Sequence, residues 1–371
     1  MRVAWIEARD FRNHREVSLE LSPDVTAVVG PNGRGKTNLL EAIYYLCWLV
    51  SPRVSSDLPL VRAGAACAYL RGEVLTDGGR FLVEVEVRAG GQNRVQVNRS
   101  AVRRKRDLRR DVRAVFGGPD DLAVVMGDPG ERRRFMDEVV AGLWPAKEGT
   151  TAGYERVLRQ RNRLLKEWGG PGEPPELQAW DGELVNHGVA LTQIRRQAVD
   201  RVADRAGEGF RRLSGRGEEA LVVGYRPSVE AAAGTAGPPS AEAVAEAFRA
   251  RLADRRGDEL VRRTSLVGPH RDDLGLTVEG LAARGFASHG EAWGAALCLR
   301  LAQGRAVGEE MGEDPVLLLD DPFSGLDPDR RRRLADGLQG RGQVLLAVPE
   351  EAHIPPGAAV LCVEEGRVAP R

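Results

Sequence analysis

Gly30-Pro31-Asn32-Gly33-Arg34-Gly35-Lys36-Thr37 fits the phosphate-binding pattern G-x-x-x-x-G-K-[ST] without a mismatch. With 44 Gly, 4 Lys and 21 Ser plus Thr in 371 residues, chance supplies this pattern only about 0.003 times in such a chain. The flanks agree with a P-loop. Val25-Thr26-Ala27-Val28-Val29 is short, apolar and β-branched, and Asn38 to Leu46 repeats apolar residues at helical spacing. Glycines let successive N–H groups turn inward around an anion, and the helix start adds unsatisfied donors and a positive dipole end. On this reading Gly30, Pro31, Asn32, Gly33, Arg34, Gly35 and Asn38 surround the phosphates of ATP. Lys36 reaches the β and γ phosphates and the Thr37 hydroxyl ligates Mg²⁺.

The partner of such a loop is an apolar strand ending in carboxylates, and Val316-Leu317-Leu318-Leu319-Asp320-Asp321 has that form. Asp320 is expected to hold Mg²⁺ through water and Asp321 to orient or deprotonate the attacking water, so Lys36, Asp320 and Asp321 are the catalytic candidates. Lys36 and Asp320 stand 284 positions apart, so the nucleotide core is assembled from both ends of the chain around a helical insertion. Two shorter pieces narrow the class. Ser288-His289-Gly290-Glu291 has the S-x-G-[EQ] form of an ABC-type signature at a helix start, and Ser324-Gly325-Leu326-Asp327 has the form of a D-loop. Ser288, Gly290, Glu291 and Asp327 would then complete the nucleotide site of a second subunit, in a head-to-tail dimer.

The fold class expected is α/β: an ABC-type P-loop head, its mixed sheet carrying an antiparallel part, plus an inserted helical lobe. Residues 1–115 form the first part of the core, 116–263 the helical lobe and 264–371 the second part. Period-two stretches at Tyr69–Leu75, Phe81–Val87 and Arg94–Val97, separated by Asp77-Gly78-Gly79 and Ala89-Gly90-Gly91, predict the antiparallel sheet. From Pro119 the pattern is helical: Tyr154, Val157, Leu158, Leu164 and Leu165 share a face, as do Leu184, Leu191, Ile194, Ala198 and Val202. Ala231 to Ser240 reads as a linker. The 54 basic and 54 acidic side chains balance, so net charge says nothing about nucleic acid. The most apolar stretch, Leu39 to Val50, is short and carries Glu41, and a soluble cytoplasmic protein is expected. Cys47, Cys67, Cys298 and Cys362 lie far apart and read as reduced thiols.

Taken together the chain resembles the RecF family of recombination mediators, related to SMC-type ATPase heads. The resemblance runs through Asp10-Phe11-Arg12-Asn13-His14, Gly30 to Tyr44, Pro119-Asp120-Asp121-Leu122 and Gly127-Asp128-Pro129. It continues through Gln160-Arg161-Asn162, Val267 to Leu274, Ala287 to Glu291 and Leu318 to Asp321. It implies ATP-dependent homodimerisation on duplex DNA next to single-strand gaps, cooperation with RecR, loading of RecA and weak hydrolysis. It also implies that Arg12 and Asn13 flank the nucleotide, where capping a strand is the plainer alternative. Asp120 or Asp121 falls at the position of a Q-loop. Glu291 stands where many relatives have Gln, and Val348-Pro349 replaces the Thr common there, with His353 expected on the surface beyond it. His270, Arg271, Asp272 and Asp273 form a charged turn, either functional or a solvated ion-pair cluster.

The run Arg99, Arg103, Arg104, Lys105, Arg106, Arg109, Arg110, Arg113 sets eight cations against Asp107 and Asp111. Such a run is usually a solvated face; with the resemblance, Arg103, Arg104, Lys105, Arg106 and Arg109 become DNA-contact candidates. Arg132, Arg133 and Arg134 are a second patch. The rival readings are an ABC-type ATPase that does not act on DNA and an ATP-binding module without turnover.

Overall fold

The structure, a computed structural model, describes residues 1–215, 220–231 and 237–371. Residues 232–236, the middle of the expected linker, lie outside them. The chain opens with strands β1 (Arg2–Phe11), β2 (His14–Glu20) and β3 (Val25–Val29), then helix α1 (Lys36–Trp48). Strands β4 (Cys67–Thr76), β5 (Gly79–Arg88), β6 (Arg94–Val97) and β7 (Ser100–Ala101) follow, then α2 (Lys105–Arg109) and β8 (Ala114–Gly117). The middle of the chain holds α3 (Leu122–Met126), α4 (Pro129–Leu143), α5 (Gly149–Glu167), α6 (Leu177–Ser214), β9 (Leu221–Arg226) and α7 (Ala241–Arg262). Last come β10 (Asp273–Val278), β11 (Leu281–Ala282), the short turn α8 (Ala283–Phe286), α9 (His289–Met311), β12 (Val316–Asp320), α10 (Pro328–Leu338), β13 (Val344–Val348), β14 (Ala359–Glu364) and β15 (Arg367–Pro370).

Among the described residues these strands make three sheets. One is antiparallel, in the order β2-β1-β4-β5-β6-β7. A second, β15-β14-β3-β13-β12-β8, is parallel except for β15, and the third is β11-β10-β9. The parallel strands are apolar along their length because both faces are covered. On β12, Val316 and Leu318 join the core around α1, while Leu317 and Leu319 join the core of the helical lobe. Helix α1 is buried almost all round, Leu39 through Trp48, between the antiparallel and parallel sheets. That is why its sequence is apolar on every face. The phosphate loop leaves the carboxyl end of β3 and the acidic pair leaves that of β12, with β13 between them, the place where open α/β sheets bind ligands.

The expected segment boundaries need two corrections. A cut at 115/116 falls inside β8, which pairs with β12, so the first part of the core runs on to Gly117. After 264 the chain does not return to the core: β10 pairs antiparallel with β9, and α9 packs along α6. The parallel sheet resumes only at Val316. β9 went unread because six residues between a long helix and a Gly-rich segment carry too little alternation to stand out. No helix among the described residues is long and apolar enough to cross a membrane.

Candidate functional site

Gly35 has φ 117°, and a Cβ there would come within 2.7 Å of the Asn13 amide; a Cβ on Gly30 would meet the Val363 carbonyl at 2.4 Å. Glycine is required at both because backbone and side chains close directly around the loop. Asn13 donates to the Arg34 carbonyl at 2.9 Å and accepts from Asn38 at 2.8 Å, so Asn13 and Asn38 brace the loop. His14, fully buried, bridges the carbonyls of Gly35 and Gly366 at 3.1 and 2.8 Å; sequence reasoning assigned it nothing. Lys36 turns back into its own loop, donating to Gly30 O (2.6 Å), Pro31 O (3.1 Å) and Asn32 Oδ1 (3.2 Å). Burial lowers its pKa, and Asp320 and Asp321 oppose that shift.

The two ends of the chain meet at Thr37, whose hydroxyl donates to both carboxylate oxygens of Asp320 at 2.9 and 2.8 Å. A hydroxyl and a carboxylate side by side next to a phosphate loop are the oxygen donors that Mg²⁺ takes, its remaining positions going to waters and phosphate oxygens. Burial raises the pKa of Asp320, against the pull of the Thr37 hydroxyl and Arg53; its acidic neighbour Asp321 adds to the rise. A cation there would remove that penalty. Asp321 sits one residue on with φ 47°, its N–H donating to Ala347 O at 2.9 Å. Burial raises its pKa too, while His353, Lys36 and Arg331 oppose the rise.

Two residues of this centre escaped or misled the sequence reading. Arg53, on the loop after α1, donates to Asn38 Oδ1 (3.1 Å) and faces Asp320. Nothing in a Ser-Pro-Arg loop announces it. His353, expected on the surface, is half-buried: its ring lies 6.2 Å from that of Phe323 and it accepts from Arg331 at 2.8 Å. A one-turn helix at Glu351–His353 carries the chain back over Phe323, which Pro349 alone does not reveal.

Ser288 caps α9, accepting from the Glu291 N–H (3.3 Å) while Glu291 accepts from the Ser288 N–H (2.9 Å). Ser288 is exposed, and Gly290 lies against the Gly325 carbonyl, so signature and D-loop form one surface. Asp327 is occupied in capping α10, accepting from the Arg330 N–H at 2.9 Å. The Arg12 guanidinium grips the fully buried Glu41 of α1 at 2.7 and 2.8 Å. The charged turn at His270 to Asp273 is largely interior, not solvated. His270 bonds Tyr154 (2.7 Å), buried Asp272 accepts from the Ser228 N–H (2.7 Å), and Asp273 pairs with Arg132 (2.5 Å). Of the four, Arg271 alone is exposed.

The basic run divides. Arg109 is buried, donating to Trp48 O (2.9 Å) and Glu148 (2.5 Å), with its guanidinium 4.6 Å over the Trp48 ring. It is a fold residue, and its place among the DNA candidates is withdrawn. Arg113 is buried as well and donates to Gly142 O. Arg103, Arg104 and Lys105 are exposed, Arg106 half-buried, and Arg99 sits exposed at the tip of the β6–β7 hairpin. The second patch disperses: Arg132 is buried on Asp273, Arg133 donates to Asp272 O, and Arg134 pairs with Glu138.

The chain is similar to known proteins. The family model for the RecF/RecN/SMC N terminal domain matches residues 2–353. The DNA replication and repair protein RecF of Kineococcus radiotolerans is 42% identical over 389 residues, covering 97% of this chain and 99% of that protein. Its counterpart in Streptomyces avermitilis is 42% identical over 362 residues, covering 96% and 95%. Among solved structures, the recombination mediator protein RecF-ATP of the RecFOR pathway superposes with TM-score 0.88 at 26% identity, covering 100% of this chain and 97% of that one. An Smc head domain from Pyrococcus furiosus shares the fold, at TM-score 0.56 and 15% identity.

Proposed function

The chain belongs to the RecF family, and from that premise we propose that it is an ATP-dependent DNA-binding protein of recombinational repair and replication restart. It dimerises on ATP as a clamp on duplex next to single-strand gaps, works with RecR and promotes RecA loading. The observation that carries the reading is the Thr37–Asp320 contact, which joins positions 283 residues apart into one phosphate and cation site. With Mg·ATP bound, Lys36 exchanges its loop carbonyls for phosphate oxygens. Thr37 and Asp320 would hold Mg²⁺, which neutralises developing charge on the phosphates. Asp321 takes the proton of the attacking water, and turnover is slow, in keeping with Val348-Pro349 in place of the Thr common in the family. Exposed Ser288 and half-buried Gly290 offer a second helix N-terminus to the γ phosphate of a partner head. The exposed arginines near α2 meet DNA phosphates, without reading bases.

Light scattering and ATP turnover, with and without Mg·ATP and a gapped duplex, test this. ATP-dependent dimers that bind the gapped duplex and hydrolyse slowly support it. Dimers that ignore DNA would leave an ABC-type ATPase of another pathway, and ATP binding without turnover a binding module.

A further inference from the structure

We propose that His14 is a positioning residue for the phosphate loop. It clasps Gly35 to the turn of the β14–β15 hairpin and so fixes the direction of the N–H groups that meet the phosphates, a role that rests on reading the loop as an ATP site. The His14 ring is fully buried. Its Nε2 lies 3.1 Å from the Gly35 carbonyl oxygen and its Nδ1 lies 2.8 Å from that of Gly366. Both partners only accept, so each contact takes an N–H of the ring as its donor. One carbonyl belongs to the phosphate loop and the other to the far end of the chain.

The sheet puts the hairpin where it can do this. Strand β14 pairs in parallel with β3, so its turn emerges beside the loop that leaves β3. The turn is Glu365-Gly366, with φ 47° and 79°, the backbone form that suits a two-residue hairpin. Gly366 donates its N–H to the Arg34 carbonyl at 3.2 Å, and the same carbonyl accepts from Asn13 Nδ2 at 2.9 Å. A Cβ on Gly366 would meet the Asn13 carbonyl at 2.7 Å, so a larger residue would hold the turn away. Two successive loop carbonyls are thereby held from outside: Arg34 by Asn13 and Gly366, and Gly35 by His14 and the Leu39 N–H at 3.0 Å. In a trans peptide unit the C=O and N–H point in opposite directions. The Gly35 and Lys36 N–H groups therefore face away from the clasp, and that of Lys36 leaves the N-terminus of α1, where an anion is held. With φ 77° at Gly33 and 117° at Gly35, the loop's glycines leave these units free to turn over. External contacts set the direction, and donors fixed in advance lower the ordering cost of binding.

The test compares His14→Leu, His14→Gln, His14→Asn and Gly366→Ala with the parent. A Gln amide nitrogen sits where Nε2 does and can donate to Gly35, whereas an Asn amide reaches only as far as Nδ1, toward Gly366. Affinity for a fluorescent ATP analogue with Mg²⁺ is measured well below every melting temperature, beside thermal unfolding of each protein. There the affinity of the folded protein is independent of how stable it is. The expected result is binding about tenfold weaker in His14→Leu and Gly366→Ala, with most of the loss recovered by His14→Gln and not by His14→Asn. Parental affinity in His14→Leu, whatever its melting temperature, overturns the proposal and makes His14 a staple of the fold. So does a Gln variant that binds no better than the Asn variant. Should His14→Leu fail to fold, Gly366→Ala and the Gln and Asn pair decide in the same way. A parent that does not bind Mg·ATP refutes the ATP-site reading itself, and the clasp with it.

Discussion

Replacing Arg103, Arg104 and Arg106 by Ala is expected to flatten the salt dependence of duplex binding, whereas replacing Arg109, in the same run, is expected to weaken the fold instead. Arg103 and Arg104 are exposed before α2 and Arg106 is half-buried on it, so all three reach solvent. Each phosphate contact contributes about 0.9 to the slope of log affinity against log salt, so three lost contacts reduce the slope by about 2.7. Between roughly 50 and 200 mM salt, the parent should then lose about 40-fold more affinity than the triple variant. Arg109→Ala removes a buried guanidinium held by Glu148 and the Trp48 carbonyl. Truncating one partner of a fully buried pair costs about 3–5 kcal/mol. Because Glu148 is 37% exposed and rehydrates, about 2 kcal/mol is the better expectation. Fluorescence anisotropy with a gapped duplex across a salt series, alongside urea unfolding of each variant, reads both effects. A triple variant with the parental salt slope would return the run to a solvated face, and an Arg109→Ala protein of parental stability would undo the burial argument.

Asp321→Asn should bind Mg·ATP, lose turnover and accumulate ATP-bound dimer in light scattering; monomer with ATP, or parental hydrolysis, gives Asp321 another role. Ser288→Arg should keep nucleotide affinity and abolish ATP-induced dimers, since Ser288 is exposed and capped locally; lost binding by the monomer would place it in its own chain's pocket. His270, pushed by burial to about 4 from 6.5, binds fewer protons folded than unfolded between those values. Its contribution is complete above pH 6.5 and is lost as pH falls toward 4, about 3 kcal/mol in all. Urea unfolding of His270→Gln against the parent at pH 7 and pH 4.5 should show the gap between them change by that order, and a constant gap would refute it.

The loop Gly30 to Thr37, the strands around it and the acidic pair at Asp320 were legible in the sequence because each depends on local chemistry. A glycine turn, a period-two strand and an apolar run ending in carboxylates are set by residues adjacent in the chain. The helical faces of α5 and α6 were legible for the same reason. What only the tertiary structure decided concerns charged side chains and short elements. Arg109, Arg103 and Arg104 look alike in the sequence, yet one is buried on Trp48 and the others reach water. His270 and Asp272 read as a solvated turn until Tyr154, Tyr225 and Arg195, from 47 to 116 positions away or on another helix, enclose them. His353 joins Asp321 only through a one-turn helix laid over Phe323. Glu41, a charge in the most apolar stretch, is fully buried because Arg12 and Ser51 arrive from elsewhere to satisfy it. A charged residue's place depends on the partner that neutralises it. When that partner lies far off in the chain, no local pattern records it.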